Sequence, residues 1–185
     1  TYRALAGEVE ALAGYLAAAL GVAGGDRVAI DLQNSPHYVV AYYAVLRCGA
    51  VVVPLNPMYR REEVAEILAD AEVAVAIVGS ELLDRFDGPS GPAHVVVAHY
   101  ADALPPVPAT RLPEVLTRPG PDLGGDPRLV AWADALREGT GRAPARPADP
   151  DALCCMPYTS GSTGRPKGCP HTHVAVTHTA AAQAE

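Results

Sequence analysis

The chain has 185 residues, of which 49% are hydrophobic and 19% are charged. A chain of this length and composition can form a packed core, which excludes disorder along its whole length. The formal net charge of −7 argues against a protein that binds nucleic-acid backbones and against a polybasic membrane anchor. The longest mostly apolar stretch, residues 11–24, is too short to cross a bilayer and contains three glycines. We therefore expect no transmembrane segment and a cytoplasmic location.

Helical and strand patterns alternate through residues 1–99, which we interpret as an α/β subdomain. Apolar residues at helical spacing predict a first helix with Thr1 as its N-cap, and Ser35 followed by Pro36 predicts the start of a second. Continuous apolar runs between helices are typical of buried parallel strands, so we expect a predominantly parallel sheet covered by helices on both faces. The first predicted helix follows Thr1 and carries its apolar stripe from Leu5 to Leu20. The other predicted helices cover residues 36–47, 61–71 and 81–86, and the predicted strands cover residues 27–32, 51–55, 73–78 and 94–98.

The next segment, residues 100–150, contains 10 of the 18 prolines in the chain. Because proline cannot donate to a strand ladder and breaks helices, this density predicts a connecting segment without regular sheet. One short helix is predicted around the only tryptophan, at residues 128–137. Regular structure is expected to resume in a third unit, residues 151–185. The elements predicted there are a strand at 152–156, a loop at 157–168 and a helix at 172–184.

The four cysteines do not have the spacing of a metal site, because no C-x-x-C pair is present. Cys154 and Cys155 are adjacent, and adjacent side chains on a strand point to opposite faces of the sheet. We therefore interpret the cysteines as reduced structural thiols rather than metal ligands.

Residues 158–168, with the sequence YTSGSTGRPKG, have the composition of an anion-binding segment. A strand followed by a glycine-rich loop and a helix brings backbone N–H groups together around an anion. Gly161 and Gly164 allow a close approach of the main chain, and Lys167 adds a positive charge. Hydroxyl groups surround the same space, on Thr159, Ser160, Ser162 and Thr163. These groups are suited to holding a polyphosphate while charge develops on it.

Other interpretations of this segment fit less well. A flexible Gly/Ser linker would not explain its PKG ending, nor the apolar strand before it and the helix after it. The sequence contains neither the Walker A pattern G-x-x-x-x-G-K-[ST] nor the dinucleotide fingerprint G-x-G-x-x-G.

Residues 158–168 resemble the phosphate-binding signature of the adenylate-forming (AMP-binding) superfamily. This superfamily includes acyl-CoA synthetases, amino-acid adenylation domains and firefly luciferase. Residues 46–57, LRCGAVVVPLNP, are similar to a second signature of the superfamily. Thr172 and His173 lie where members often have Ser/Thr-His, whereas residues 100–150 match none of its patterns.

The resemblance implies that ATP activates a carboxylic acid to an acyl-adenylate, which then passes its acyl group to a thiol, usually coenzyme A. Lys167 would stabilise charge in the transition state, Thr159 would help to position Mg²⁺, and His173 would line the substrate pocket. A helix-start residue bonded to the backbone is the alternative for His173, and His171 and His178 are expected on the surface. The residues implied to bind the ATP phosphates are Thr159, Ser160, Gly161, Ser162, Thr163, Gly164 and Lys167.

The superfamily's adenine-binding segment, ribose-binding acid, hinge and C-terminal catalytic lysine follow this signature in the chain order. We therefore expect this chain to be the N-terminal part of an acyl-CoA ligase, acting on a fatty acid, and to be inactive alone. A homodimer is the expected assembly. The alternatives are an aryl- or amino-acid-activating enzyme, a non-catalytic nucleotide-binding module, and an α/β fold that binds any phosphate.

Overall fold

A computed structural model describes residues 1–88, 91–104, 112–113, 120–144, 149–160 and 166–183. Within these ranges the chain forms a seven-stranded sheet, a separate two-stranded hairpin and flanking helices. The helices are α1 (Tyr2–Ala18), α2 (Pro36–Arg47), α3 (Arg61–Asp70), α4 (Trp132–Gly139) and α5 (His173–Gln183), with 3₁₀ helices at Ser80–Phe86 and Tyr100–Ala103. The strands are β1 (Arg27–Asp31), β2 (Val51–Pro54), β3 (Val75–Gly79), β4 (His94–Ala98), β5 (Leu129–Ala131), β6 (Leu153–Cys155), β7 (Tyr158–Ser160), β8 (Pro166–Gly168) and β9 (His171–Thr172).

The large sheet has the strand order β5-β4-β3-β1-β2-β6-β9. Its strands are parallel, except that β9 runs antiparallel to β6. This confirms the predicted α/β fold with a predominantly parallel sheet. The chain passes from β1 to β2 on one side and then returns to β3 on the other side of β1. The carboxyl ends of β1 and β3 therefore form a topological switch point, where open parallel sheets commonly have a binding crevice.

Local sequence signals set the ends of the first two helices as predicted. The Thr1 hydroxyl accepts a hydrogen bond from the Ala4 N–H at 3.3 Å, and the Ser35 hydroxyl accepts one from the Tyr38 N–H at 3.3 Å. Gly49 follows α2 with a φ of +71°, a conformation that glycine adopts without the strain that a side chain would add. These caps fix where α2 begins and ends relative to the sheet.

Both faces of the sheet are covered over β1 to β4, and the side chains of these strands alternate between two hydrophobic clusters. Val28 and Ile30 of β1 belong to one cluster, and Ala29 between them belongs to the other. The first cluster includes Leu12, Leu16, Val40, Val45 and Trp132 from α1, α2 and α4. The second includes Val64, Ile67, Leu68, Leu82 and Phe86 from α3 and the 3₁₀ helix that follows β3. Burial on both faces explains why the strands are apolar without alternation.

The expectation that prolines exclude sheet from residues 100–150 is wrong for β5. Leu129 pairs in parallel with Val95 of β4, and α4 begins only at Trp132. The predicted helix at residues 128–137 is therefore a strand followed by a helix. No proline lies between Pro127 and Pro144, so the backbone N–H groups of this stretch are available for hydrogen bonds. The backbone of β4 supplies their partners, and the proline density of the wider segment therefore does not prevent a strand here. The division into units 1–99, 100–150 and 151–185 stays a prediction.

No helix within the described ranges is both long enough and apolar enough to cross a membrane.

A buried carboxyl group lies at the end of β1. The Asp31 side chain is fully buried, and its Oδ2 lies 3.5 Å from Arg85 Nη1. Its Oδ1 has no hydrogen-bond partner among the described residues. Burial raises the pKa of Asp31 to about 6, Arg85 opposes the rise, and Glu81 adds to it. Arg85 is itself held by the Pro57 carbonyl, which accepts from Nη2 at 2.7 Å.

Replacing Asp31 with asparagine is expected to remove a pH dependence of stability. The folded pKa is raised above the unfolded value, so the folded state holds the proton more tightly. Stability should therefore fall as the pH rises from about 4 through 6, by roughly 2–3 kcal/mol. Because the variant lacks this carboxyl group, its unfolding free energy should not fall in the same way. The unfolding free energy of Asp31→Asn should therefore increase relative to that of wild type as the pH rises over this window. A difference that stays constant between pH 4 and pH 7 would contradict the assignment.

Candidate functional site

The predicted phosphate segment forms an antiparallel hairpin. Tyr158, Thr159 and Ser160 of β7 pair with Gly168, Lys167 and Pro166 of β8, in that order. The hairpin follows the carboxyl end of β6, and the N–H of Met156 donates to the Val52 carbonyl of β2 at 2.8 Å. It therefore lies at the edge of the parallel sheet where ligands commonly bind. The predicted phosphate ligands Gly161, Ser162, Thr163 and Gly164 lie outside the described residues.

This arrangement corrects the sequence interpretation in two respects. The predicted loop at residues 157–168 has strands in both arms, and the predicted helix does not follow the loop directly. Two further elements, β8 and β9, come before α5 begins at His173. Small polar residues are typical of loops, but Tyr and Thr favour strands when a partner strand lies opposite. The strand–loop–helix order that the sequence predicts therefore does not hold, because β9 separates the hairpin from α5.

Lys167 and Thr159 lie directly opposite each other in the hairpin. Side chains of such a pair share one face of the ladder, with Cβ atoms about 4.5–5.5 Å apart. Both residues are exposed. This face therefore presents an ammonium group and a hydroxyl group side by side to solvent, which are groups that bind anionic oxygens.

The neighbouring pair, Tyr158 and Gly168, faces the protein. Tyr158 is buried in the hydrophobic cluster that includes α3, and its hydroxyl donates to Asp70 Oδ2 at 2.5 Å. Burial raises the pKa of Tyr158, and the Asp70 carboxylate raises it further. A Cβ on Gly168 would lie 3.0 Å from Met156 Sδ and 3.2 Å from Tyr158 Cζ, so the hairpin packs closely at this point. The Tyr59 hydroxyl donates to the Tyr158 carbonyl at 3.4 Å.

These contacts show how the hairpin is held. One face is fixed to α3 and to the loop after β2, while the opposite face is free to meet a ligand. Sequence reasoning missed Tyr59 and Asp70. Asp70 is an exposed acid at the end of an amphipathic helix, and nothing in its local sequence distinguishes it from a solvated side chain.

The Tyr158–Asp70 contact is expected to stabilise the fold. A double-mutant cycle with Tyr158→Phe and Asp70→Asn should give a coupling energy of about 1–2 kcal/mol. This is the lower part of the range for a hydrogen bond to a charged group, since Asp70 is exposed. Urea unfolding of the two single variants and the double variant measures it. Additive effects of the two substitutions would show that the contact contributes nothing.

Histidines and cysteines lie close to the hairpin in the sequence. The backbone N–H of His173 donates to the Ala152 carbonyl at 3.1 Å, as the helix-start interpretation predicts, and His171 is exposed. Burial raises the pKa of the Cys154 thiol to about 11, whereas Cys155 on the same strand is only half-buried. No group of three or more His, Cys, Asp or Glu residues that could hold a metal ion occurs in the described part of the chain.

The fold and the hairpin agree with the comparisons to known proteins. The sequence profile of the family described as "AMP-binding enzyme" matches residues 1–185. The chain therefore belongs to the AMP-binding enzyme family.

Particular relatives within this family include acyl-CoA ligases. The long-chain-fatty-acid–CoA ligase FadD13 of Mycobacterium tuberculosis H37Rv is 37% identical over 163 residues, which are 88% of this chain and 27% of the relative. The long-chain-fatty-acid–CoA ligase of Escherichia coli O157:H7 is 31% identical over 180 residues, 94% of this chain and 32% of the relative. The crystal structure of the anthranilate CoA ligase AuaEII with anthranoyl-AMP has a TM-score of 0.72 and 26% identity, over 94% of this chain and 30% of that one. The chain thus spans about a quarter to a third of the length of these relatives.

Proposed function

We propose that this chain is the ATP-phosphate-binding part of an enzyme that activates a carboxylic acid as an acyl-adenylate. The observation that carries the proposal is the hairpin face with Lys167 opposite Thr159, at the carboxyl edge of the sheet. Membership of the AMP-binding enzyme family supports it. The full-length protein would be a ligase, and this segment alone would be inactive.

Formation of an acyl-adenylate requires the enzyme to stabilise negative charge on the leaving pyrophosphate. When a carboxylate oxygen attacks the α-phosphorus of ATP, the bond to the bridging oxygen breaks and pyrophosphate leaves with the developing charge. Lys167 would hold the β- and γ-phosphate oxygens and stabilise that charge, with hydroxyl groups and amides of the hairpin. Because the hairpin is fixed to α3 through Tyr158, these groups would be in place before the reaction begins.

In this proposal Mg²⁺ binds with the ATP phosphates and makes few contacts with the protein. When bound, it would neutralise charge on the phosphate oxygens. Thr159 offers one exposed hydroxyl, and no cluster of carboxylates stands beside it in the described residues. A magnesium ion held chiefly by the substrate's own phosphates and by water fits this donor set, since Mg²⁺ often binds proteins through few ligands.

For the substrate we propose a fatty acid, with coenzyme A as the acceptor. The relatives FadD13 and the E. coli enzyme are named for long-chain fatty acids. An aromatic acid is the second candidate, because the anthranilate CoA ligase structure covers a similar share of this chain. His173 is proposed to lie near the substrate pocket, as the family resemblance implies.

The test is pyrophosphate release by the full-length protein with ATP, Mg²⁺ and a panel of palmitate, octanoate, benzoate and an amino acid. Fatty acids should give the fastest release, and addition of coenzyme A should yield the acyl thioester. Release with benzoate alone would shift the assignment to an aryl-activating enzyme. ATP binding without release from any acid would favour a non-catalytic nucleotide-binding module.

A cytoplasmic location and a homodimer are also proposals. Cell fractionation tests the first. Light scattering of the full-length protein tests the second, with twice the monomer mass expected.

A further inference from the structure

A cavity of about 480 Å³ lies at the topological switch point of the sheet. Asn34 and His37 reach it from the segment after β1, Glu81 from the segment after β3, and Tyr100 from the segment after β4. None of the described hairpin residues lines it. A second cavity of about 390 Å³ adjoins it and shares His37 in its lining. This is the place where sheets with this strand order hold small ligands.

His37 is a buried polar residue whose hydrogen bonding is incomplete. It is only 3% exposed, and its Nδ1 has no hydrogen-bond partner among the described residues. Its ring packs edge-on against Trp132, with centroids 4.8 Å apart. Burial lowers the pKa of His37, which favours the neutral ring that can accept a hydrogen bond. This nitrogen is closed to solvent, so a ligand in the cavity does not reach it, and the ring serves both cavities as an uncharged aromatic wall.

The charges around the cavities are acidic. Glu81 lines the first cavity, and Glu8 and Asp102 line the second. As far as the structure describes the chain, neither lining includes a lysine or an arginine. The Tyr100 hydroxyl donates to the Glu81 carboxylate and accepts from the Gln33 N–H at 2.8 Å, so this carboxylate is oriented. The field in the cavity therefore favours a cation over an anion.

The rest of the lining of the first cavity is mainly apolar. The Tyr100 ring, Pro36, Ala103 and Leu104 form these sides, and polar groups of Gln33, Asn34 and Ser35 lie beside them. A carboxylate on one side and apolar surface on the others match an ammonium group attached to a hydrophobic body.

We propose that the switch-point cavity is a binding site for a small primary amine with an apolar body. The ammonium group pairs with Glu81, and the body packs against the His37 and Tyr100 rings and against Leu104. This site is separate from the hairpin that is proposed to bind ATP, and the proposal does not depend on the adenylation activity.

The experiment uses ¹⁹F NMR titration of the full-length protein with 4-fluorobenzylamine. The matched probes 4-fluorobenzyl alcohol and 4-fluorobenzoate keep the ring and remove or reverse the charge. The amine should bind at least about tenfold more tightly than either, since a charge-assisted contact is the main difference. Glu81→Gln should weaken amine binding about tenfold. Glu66→Gln, which removes an exposed acid from α3, should leave it unchanged.

A second variant tests the location. Ala103→Phe adds a ring at the cavity wall and should abolish amine binding, while the melting temperature and ATP-dependent pyrophosphate release stay at wild-type values. Equal affinity for the amine and the alcohol would overturn the proposal. So would amine binding that survives both variants or that ATP displaces, because the probe would then occupy another site. If the wild-type full-length protein bound the amine but released no pyrophosphate, the result would count against the adenylation proposal alone.

Discussion

Replacing Lys167 with glutamine is expected to lower kcat/KM for ATP by about 10- to 150-fold in pyrophosphate release by the full-length protein. This corresponds to the loss of one charge-assisted phosphate contact, about 1.5–3 kcal/mol. Lys167 is the only lysine of the chain, is exposed, and lies opposite Thr159 on the open face of the hairpin. Because it is exposed, its removal should leave the melting temperature within about 1–2 °C of wild type.

Two controls separate a specific contact from a general charge effect. Lys167→Arg keeps the charge but changes the geometry, so it should recover part of the lost activity. Arg3→Gln removes an exposed positive charge at the start of α1 and should leave kcat/KM unchanged. Equal rates for Lys167→Gln and wild type at ATP concentrations below KM would exclude Lys167 from phosphate binding.

Gly14→Ala is expected to destabilise the protein strongly, because an added methyl group would overpack the crossing of α1 with the end of α4. A Cβ at Gly14 would collide with the Gly139 carbonyl oxygen and lie 3.0 Å from the Arg142 carbonyl carbon. These are backbone atoms, so α1 and the end of α4 must move apart. Overpacking of this kind costs roughly 1–3 kcal/mol or more, which exceeds the gain in helix propensity from glycine to alanine.

Gly7→Ala provides the matched control in the same helix. A Cβ at Gly7 meets no atom within 4 Å, so only the propensity change remains. This variant should be more stable than wild type by about 0.5–1 kcal/mol. Urea unfolding of both variants in the full-length protein measures the difference. Stabilisation by Gly14→Ala as well would mean that α1 and α4 do not cross as closely as described.

Much of the parallel sheet could be predicted from sequence because its signals are local. Local patterns predict these elements directly, namely the helix caps Thr1 and Ser35 and the apolar runs of β1 to β4. The β5 strand could not be predicted in this way, since Leu129–Ala131 is a strand only because β4 lies beside it. Proline density in the surrounding segment pointed to the wrong conclusion.

The sequence predicts which segment binds the ligand, but it does not predict the conformation of that segment. Small and hydroxylated residues predict a ligand-binding segment at 158–168, but composition does not specify which residues of its two arms pair with each other. The contact from Tyr158 to Asp70 joins residues 88 positions apart, and no local pattern reports it. The unpartnered atoms of Asp31 and His37 likewise become visible only when the carboxyl ends of the strands are brought together.

The most direct test of phosphate binding is a crystal structure of the full-length protein with Mg²⁺ and a non-hydrolysable ATP analogue. We expect the β- and γ-phosphate oxygens within hydrogen-bond distance of the hairpin, with the Lys167 ammonium group among their partners. Phosphate oxygens bound elsewhere, with no residue of 159–167 in contact, would contradict the account.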